Sequence, residues 1–204
     1  MPVCSKPTFQ NTEFCPTSEF LSAVNRVWYA NREDWEAAKV SLEISATGNL
    51  IDVFAPTTPI LYPLWTGKKF DIAPNSVSFK TPAGSDKWKH SIILQLIGAS
   101  VEDDAEASKL IGSNLVIIYE VKGANATNDP DSFKVIGYES GLTAPDGGVV
   151  LNANENGGAT IASLASDTED GDVESFNRMT LKPTAATTKA LVLADIELAE
   201  VAPA

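Results

Sequence analysis

A mainly β fold is what this sequence of 204 residues predicts: an antiparallel β-sandwich or barrel with one flanking α-helix, an extended N-terminal arm and a long loop. Three observations predict it. Short segments of alternating apolar and polar residues recur along the chain. One segment carries both a helix-start and a helix-stop signal, and proline- and glycine-rich stretches separate the rest. Hairpin-linked strands with a lone helix point to a sandwich or barrel with that helix on its flank.

Residues 1–22 read as an arm. Pro2, Pro7 and Pro16 interrupt any regular element, while Phe9, Phe14 and Phe20 give it apolar surface to bury across its own domain or on a neighbouring subunit. Residues 23–204 make a single domain. In it, 26–31 is a short strand with Val27 and Tyr29 on one side and Trp28 and Ala30 on the other, and 32–38 fits a single helical turn. Segments 40–44 and 50–54 alternate and are joined by Ala46-Thr47-Gly48-Asn49, a hairpin turn. Pro56, Pro59 and Pro63 predict an irregular loop over 55–66, whose Leu61, Tyr62, Leu64 and Trp65 cover a core edge. Segments 70–72 and 77–80 are short strands.

The block from Asp86 to Leu142 is the most legible. Trp88, His90, Ile92, Leu94 and Leu96 alternate with Lys89, Ser91 and Gln95. Ser100 and Asp103 then form a capping-box-like start, Glu102, Asp103, Asp104 and Glu106 load the positive end of a helix dipole, and Gly112 stops the helix spanning 101–111. Strands 115–121 and 133–138 follow, separated by a polar loop. Residues 143–172, rich in Gly, Ala, Asn and Asp, read as one long loop, a length that is uncommon inside a domain and usually functional. Segments 173–182 and 190–198 close the chain as two strands around a turn at 183–189.

Size and composition exclude several classes. A chain this long buries about 70% of its unfolded surface and needs no metal or disulfide staple. It has no apolar run near the roughly 20 residues a membrane helix needs, so no membrane partner is expected. The first residues lack the apolar core of a signal peptide, which predicts a product kept in the cytosol and Cys4 and Cys15 as free thiols. One histidine and two cysteines cannot supply a four-ligand Cys/His zinc site. The formal net charge of −12 is uneven: residues 1–98 balance nine acids against nine bases, and residues 99–204 hold 18 acids against six bases. Such a surface repels nucleic acid phosphate.

Reactive chemistry is sparse. His90 sits mid-strand with no acid or nucleophile tied to it by spacing, and reads as a satisfied, partly buried structural histidine. Gly137-Tyr138-Glu139-Ser140-Gly141 misses the nucleophile-elbow pattern because its serine stands one position late. Asp167, Glu169, Asp170, Asp172 and Glu174 fail the calcium-loop spacing and read as a solvated acidic loop. Asn125-Ala126-Thr127 is a formal sequon and reads as polar loop. No catalytic residue, metal ligand or cofactor-binding residue is expected.

Three segments together resemble the tail tube proteins of bacteriophages and prophages, particularly those of Bacteroidetes phages. They are residues 27–34 (Val-Trp-Tyr-Ala-Asn-Arg-Glu-Asp), the strand–helix–strand–hairpin series from Ser76 to the Gly137-Tyr138-Glu139-Ser140-Gly141-Leu142 end, and Gly171-Asp172 with 176–181. The chain departs from that group in its long 122–132 loop and its extra 183–189 turn. The resemblance implies a virion structural protein, not an enzyme, made in the host bacterial cytoplasm. It implies hexameric rings stacked into a hollow tube, with other tail or connector proteins as partners and DNA passing through the bore without specific binding. Arms and loops would then join subunits, which makes Phe9, Phe14, Gly147, Gly148, Val149, Val150 and Asn152 the candidate inter-subunit contacts. The alternatives are a head–tail connector or capsid decoration protein, and a soluble ligand-binding sandwich using Trp28, Trp35, Trp65 or Trp88 as platforms.

Overall fold

Residues Leu115–Val121 carry six consecutive buried side chains, so this strand needs cover on both of its faces. The computed structural model supplies it. Residues 24–45, 49–64, 76–80, 88–96, 110, 112–121, 130–145, 148–153, 159–166, 174–176, 179–183 and 185–201 are described. Among them lie, in chain order, β1 (Val24–Asn31), α1 (Arg32–Ala38), β2 (Leu42–Ile44), β3 (Leu50–Phe54), β4 (Tyr62–Leu64), β5 (Ser76–Lys80), β6 (Lys89–Leu96), β7 (Leu115–Val121), β8 (Phe133–Ile136), β9 (Val149–Ala153), β10 (Ala159–Ala165), β11 (Met179–Leu181) and α2 (Lys189–Leu198).

Seven strands form a mixed sheet in the order β2-β3-β11-β8-β7-β1-β4, and four form a second sheet in the order β5-β6-β10-β9. All pairings are antiparallel except β11 with β3. Alternation along β7 sends Leu115, Ile117 and Tyr119 toward the smaller sheet, where they meet Ile92, Ala162 and Leu164. Val116 and Ile118 face the other way, into a second core built with Trp28, Trp35, Phe133, Val192 and Ile196. The result is a sandwich whose larger sheet is a middle layer, with the helices outside it. Full burial of each Ile or Leu here contributes about 1.5–3 kcal/mol.

The helix α2 forms from good helix formers, with Val192 and Ile196 one turn apart on the buried side. Its N-terminal Lys189 ammonium pairs with the buried carboxylate of Glu120 on β7, which also lies 3.6 Å from Arg26 Nε. Its C-terminal end is held by Ile60 and Leu61, whose N–H groups both donate to Ala199 O at 2.9 Å.

Several expectations need correction. Residues 190–198 are helix, not strand: the i, i+4 pair Val192 and Ile196 wins over the local Leu-Val-Leu run because the sheet below offers an apolar face. The 143–172 stretch is not one loop but contains β9 and β10, and β10 pairs with β6 over six residues from Thr160↔Leu96 to Ala165↔Ser91. The proline loop at 55–66 contains β4, where Pro63 is tolerated on an outermost strand. The flanking helix at 101–111 lies outside the described residues apart from buried Leu110, as do residues 1–22, Cys4, Cys15 and the 70–72 strand.

Candidate functional site

The densest polar cluster among the described residues surrounds the turn after β8. Gly137 and Gly141 open and close it with φ of 71° and 76°, a region that disfavours side chains. A Cβ on Gly141 would stand 1.7 Å from Asn114 Oδ1, and Asn114 Nδ2 donates to Ser140 O at 3.3 Å. The turn must therefore be glycine at that position to let Asn114 in.

Glu174 holds the same turn from the other side. Its buried carboxylate accepts from the N–H of Glu139 at 2.9 Å, from the N–H of Ser140 at 2.9 Å and from Ser140 Oγ at 2.8 Å. The arrangement is reciprocal, since the N–H of Ser175 donates to Glu139 Oε2 at 2.7 Å. Glu174 also exchanges both backbone hydrogen bonds with Trp88 at 2.8 Å, so one residue ties the middle layer to the smaller sheet. The solvated reading of Glu174 is thus corrected: three donors on its carboxylate offset the cost of burying the charge. The rest of the acidic run, Asp167 to Asp172, lies outside the described residues.

His90 is buried on β6 with both ring nitrogens engaged. Nδ1 accepts from the N–H of Gly137 at 3.2 Å, which leaves Nε2 as the protonated nitrogen donating to Phe176 O at 2.7 Å. Its backbone N–H donates to Ser166 Oγ at 2.9 Å. Ser140, Glu174 and His90 therefore converge on one turn: the serine hydroxyl bonds the carboxylate, and the imidazole bonds the backbone of Gly137 and Phe176. The arrangement positions backbone, and the group facing the serine hydroxyl is the Glu174 carboxylate, not the imidazole.

Beside the cluster, Tyr138 stacks edge-on against Trp35 with ring centroids 5.9 Å apart, and Lys39 Nζ lies 4.5 Å over its ring. Burial, then the nearby carboxylates of Glu36, Glu139 and Glu174, push the Tyr138 hydroxyl above its ordinary range. Glu36 shows the opposite balance. Burial alone raises its carboxyl, but hydrogen bonds from Lys39 and Arg32 hold it below the usual range.

Trp28 and Trp35 are buried, which removes both as ligand platforms; Trp88 is half-buried and Trp65 lies outside the described residues. Among the described residues, no three His, Cys, Asp or Glu side chains gather as metal ligands do, and no helix is long and apolar enough to cross a membrane.

The candidate contact residues are not brought together by one loop. Gly148 is buried against its own fold, donating to Pro145 O at 2.7 Å and accepting from Ser163 N at 2.6 Å. Val149 packs toward the inter-sheet core and Val150 faces out. Asn152 is on β9 as well, while Phe9, Phe14 and Gly147 lie outside the described residues. Sequence reasoning missed that this stretch is an outermost strand paired to β10; for β10 itself the alternation of Ala162 and Leu164 with Ile161 and Ser163 was the available signal. Comparison with protein-family models, with curated proteins and with solved structures finds no match to this chain.

Proposed function

We propose that this chain is a virion structural protein, a tail tube subunit that assembles into stacked, hexameric rings and forms a conduit for DNA. One observation carries the reading: the four-stranded sheet ends on two outermost strands, β5 and β9, with no further strand beside either among the described residues. Such edges present unpaired N–H and C=O groups that pair readily with another chain. Joined edge to edge around a ring, copies of this sheet close into a barrel that leaves no edge exposed. Four of the candidate contacts, Gly148, Val149, Val150 and Asn152, lie on or next to β9.

The outward face of that sheet fits a passage. Ser91, Ile93, Ile161, Ser163, Ala165 and Val150 share it by register and are uncharged, with Lys89 at one end in register with Lys80 of β5. Away from those lysines the face gives DNA neither an ion pair nor a stacking platform. The reading also fits a polar cluster whose titratable groups all hold backbone, and it leaves DNA, tail proteins and a second copy as partners with no cofactor.

The test is assembly. Concentrated protein is expected to form rings or stacked tubes in negative-stain images, and Val150→Lys, which puts a charge on the edge strand, is expected to prevent them without unfolding the subunit. A capsid decoration protein would stay monomeric or trimeric. A wild-type protein that remains a monomer at every concentration overturns the reading.

A further inference from the structure

The two lateral edges of the larger sheet are treated differently. At the β4 edge, Pro63 removes a donor, and the chain after α2 covers the neighbouring backbone: Leu61 pairs in parallel with Glu200, and Val201 N donates to Leu61 O at 2.8 Å. At the β2 edge no strand lies beyond Leu42–Ile44 among the described residues, Ile44 is exposed, and neighbouring Val40 is 93% exposed. This edge is short and carries exposed Glu43 between Leu42 and Ile44, so its apolar surface is Val40 with Ile44.

Helix α2 has a matching peculiarity. Its inner face buries Val192 and Ile196, yet a second apolar stripe faces outward: Leu191 is exposed, Leu198 is 79% exposed, and Asp195 stands between them at i+4 and i+7 spacing. A helix apolar on both sides is normally covered on both. Asp195 has no ion pair or hydrogen bond among the described residues, and burial raises its carboxyl above the ordinary range. It is a partly desolvated acid flanked by leucines, which suits a partner offering apolar contact and one cation.

We propose that the outward stripe of α2, Leu191–Asp195–Leu198, docks on the β2 edge of a second copy, with its leucines on Val40 and Ile44 and Asp195 facing Lys39. Lys39 can serve because its ammonium has three donors, of which Glu36 Oε1, at 2.7 Å, takes one and the Tyr138 ring, 4.5 Å away, faces another. One molecule cannot satisfy itself. The C-terminal end of α2 reaches the β4 side, six strand spacings from β2, a separation of roughly 29 Å at about 4.8 Å per spacing. The contact is therefore head to tail, the type that propagates into a ring when its rotation closes. This names a partner surface for the assembly proposed above and rests on that reading.

Two variants and one cross-link test it. Leu191→Glu with Leu198→Glu is expected to raise the concentration for half-assembly about tenfold or more, with the melting transition of the subunit unchanged. Asp195→Asn is expected to weaken assembly while leaving the monomer folded. In a Cys4→Ser, Cys15→Ser background, Val40→Cys on one copy and Leu198→Cys on another are expected to form an intermolecular disulfide when mixed. If tubes form, the double variant assembles like wild type and the mixed cysteines do not cross-link, this contact is wrong while the tube reading stands. If wild type never assembles and no cross-link forms at high concentration, both fall.

Discussion

The hydroxyl of Ser140 donates to Glu174 Oε1 across 2.8 Å, joining residues 34 positions apart and fastening the turn after β8 to the strand-like segment beside Trp88. The same carboxylate takes two backbone N–H groups, so its charge is the fixed point of the clasp.

Removing the charge should cost more than removing the hydroxyl. Glu174→Gln keeps the shape but places an amide against N–H groups that need acceptors, and is expected to lower stability by about 2–3 kcal/mol. Ser140→Ala loses one hydrogen bond and is expected to cost about 1 kcal/mol. Urea unfolding of both variants against wild type reads the difference; equal costs would mean that the carboxylate is not the anchor.

Two glycines with the same backbone sign separate strain from crowding. Gly112 has φ of 77° and nothing within 4 Å of an added Cβ, whereas at Gly141 the Cβ would collide with Asn114. Gly112→Ala is expected to cost about 1 kcal/mol, from the left-handed conformation alone. Gly141→Ala is expected to cost clearly more, about 3 kcal/mol, because Asn114 must leave. Thermal unfolding of the two variants checks the order.

Tyr138 predicts an alkaline limit. Its hydroxyl is raised in the folded state by burial first and by neighbouring carboxylates second, so the fold favours the neutral phenol. That contribution is fully present below the unfolded value near 10 and is lost as pH rises through the folded value. Stability is therefore expected to fall above pH 10 in wild type and to fall less in Tyr138→Phe, measured as the urea midpoint from pH 8 to 11.5, a range of about one unit or more past the unperturbed tyrosine.

The strands legible in the sequence were those whose own side chains decide their state. Leu115–Val121 is apolar on both faces and has to be a middle-layer strand wherever it lies, and Leu42–Ile44 with Leu50–Phe54 pair through a short local turn. β9 and β10 are different. Their Gly, Ala, Ser and Asn content carries little burial energy of its own, and only the pairing of β10 with β6, some 70 residues away, and of β9 with β10 makes them strands. The 190–198 segment is ambiguous locally, and the apolar face of the sheet beneath Val192 and Ile196 selects the helix.

The polar cluster divides in the same way. Gly137 and Gly141 announce a turn, and the lone His90 announces a structural role, because both follow from residue type and near neighbours. That Glu174 leaves solvent to hold that turn follows from nothing near it in the chain, since its partners Glu139 and Ser140 are brought to it by the stacking of two sheets. Local pattern determined the strands whose own side chains fix their state, such as Leu115–Val121, and where the chain turns. Long-range packing decided which edges stay open, because an edge exists only once every other strand has found its neighbour.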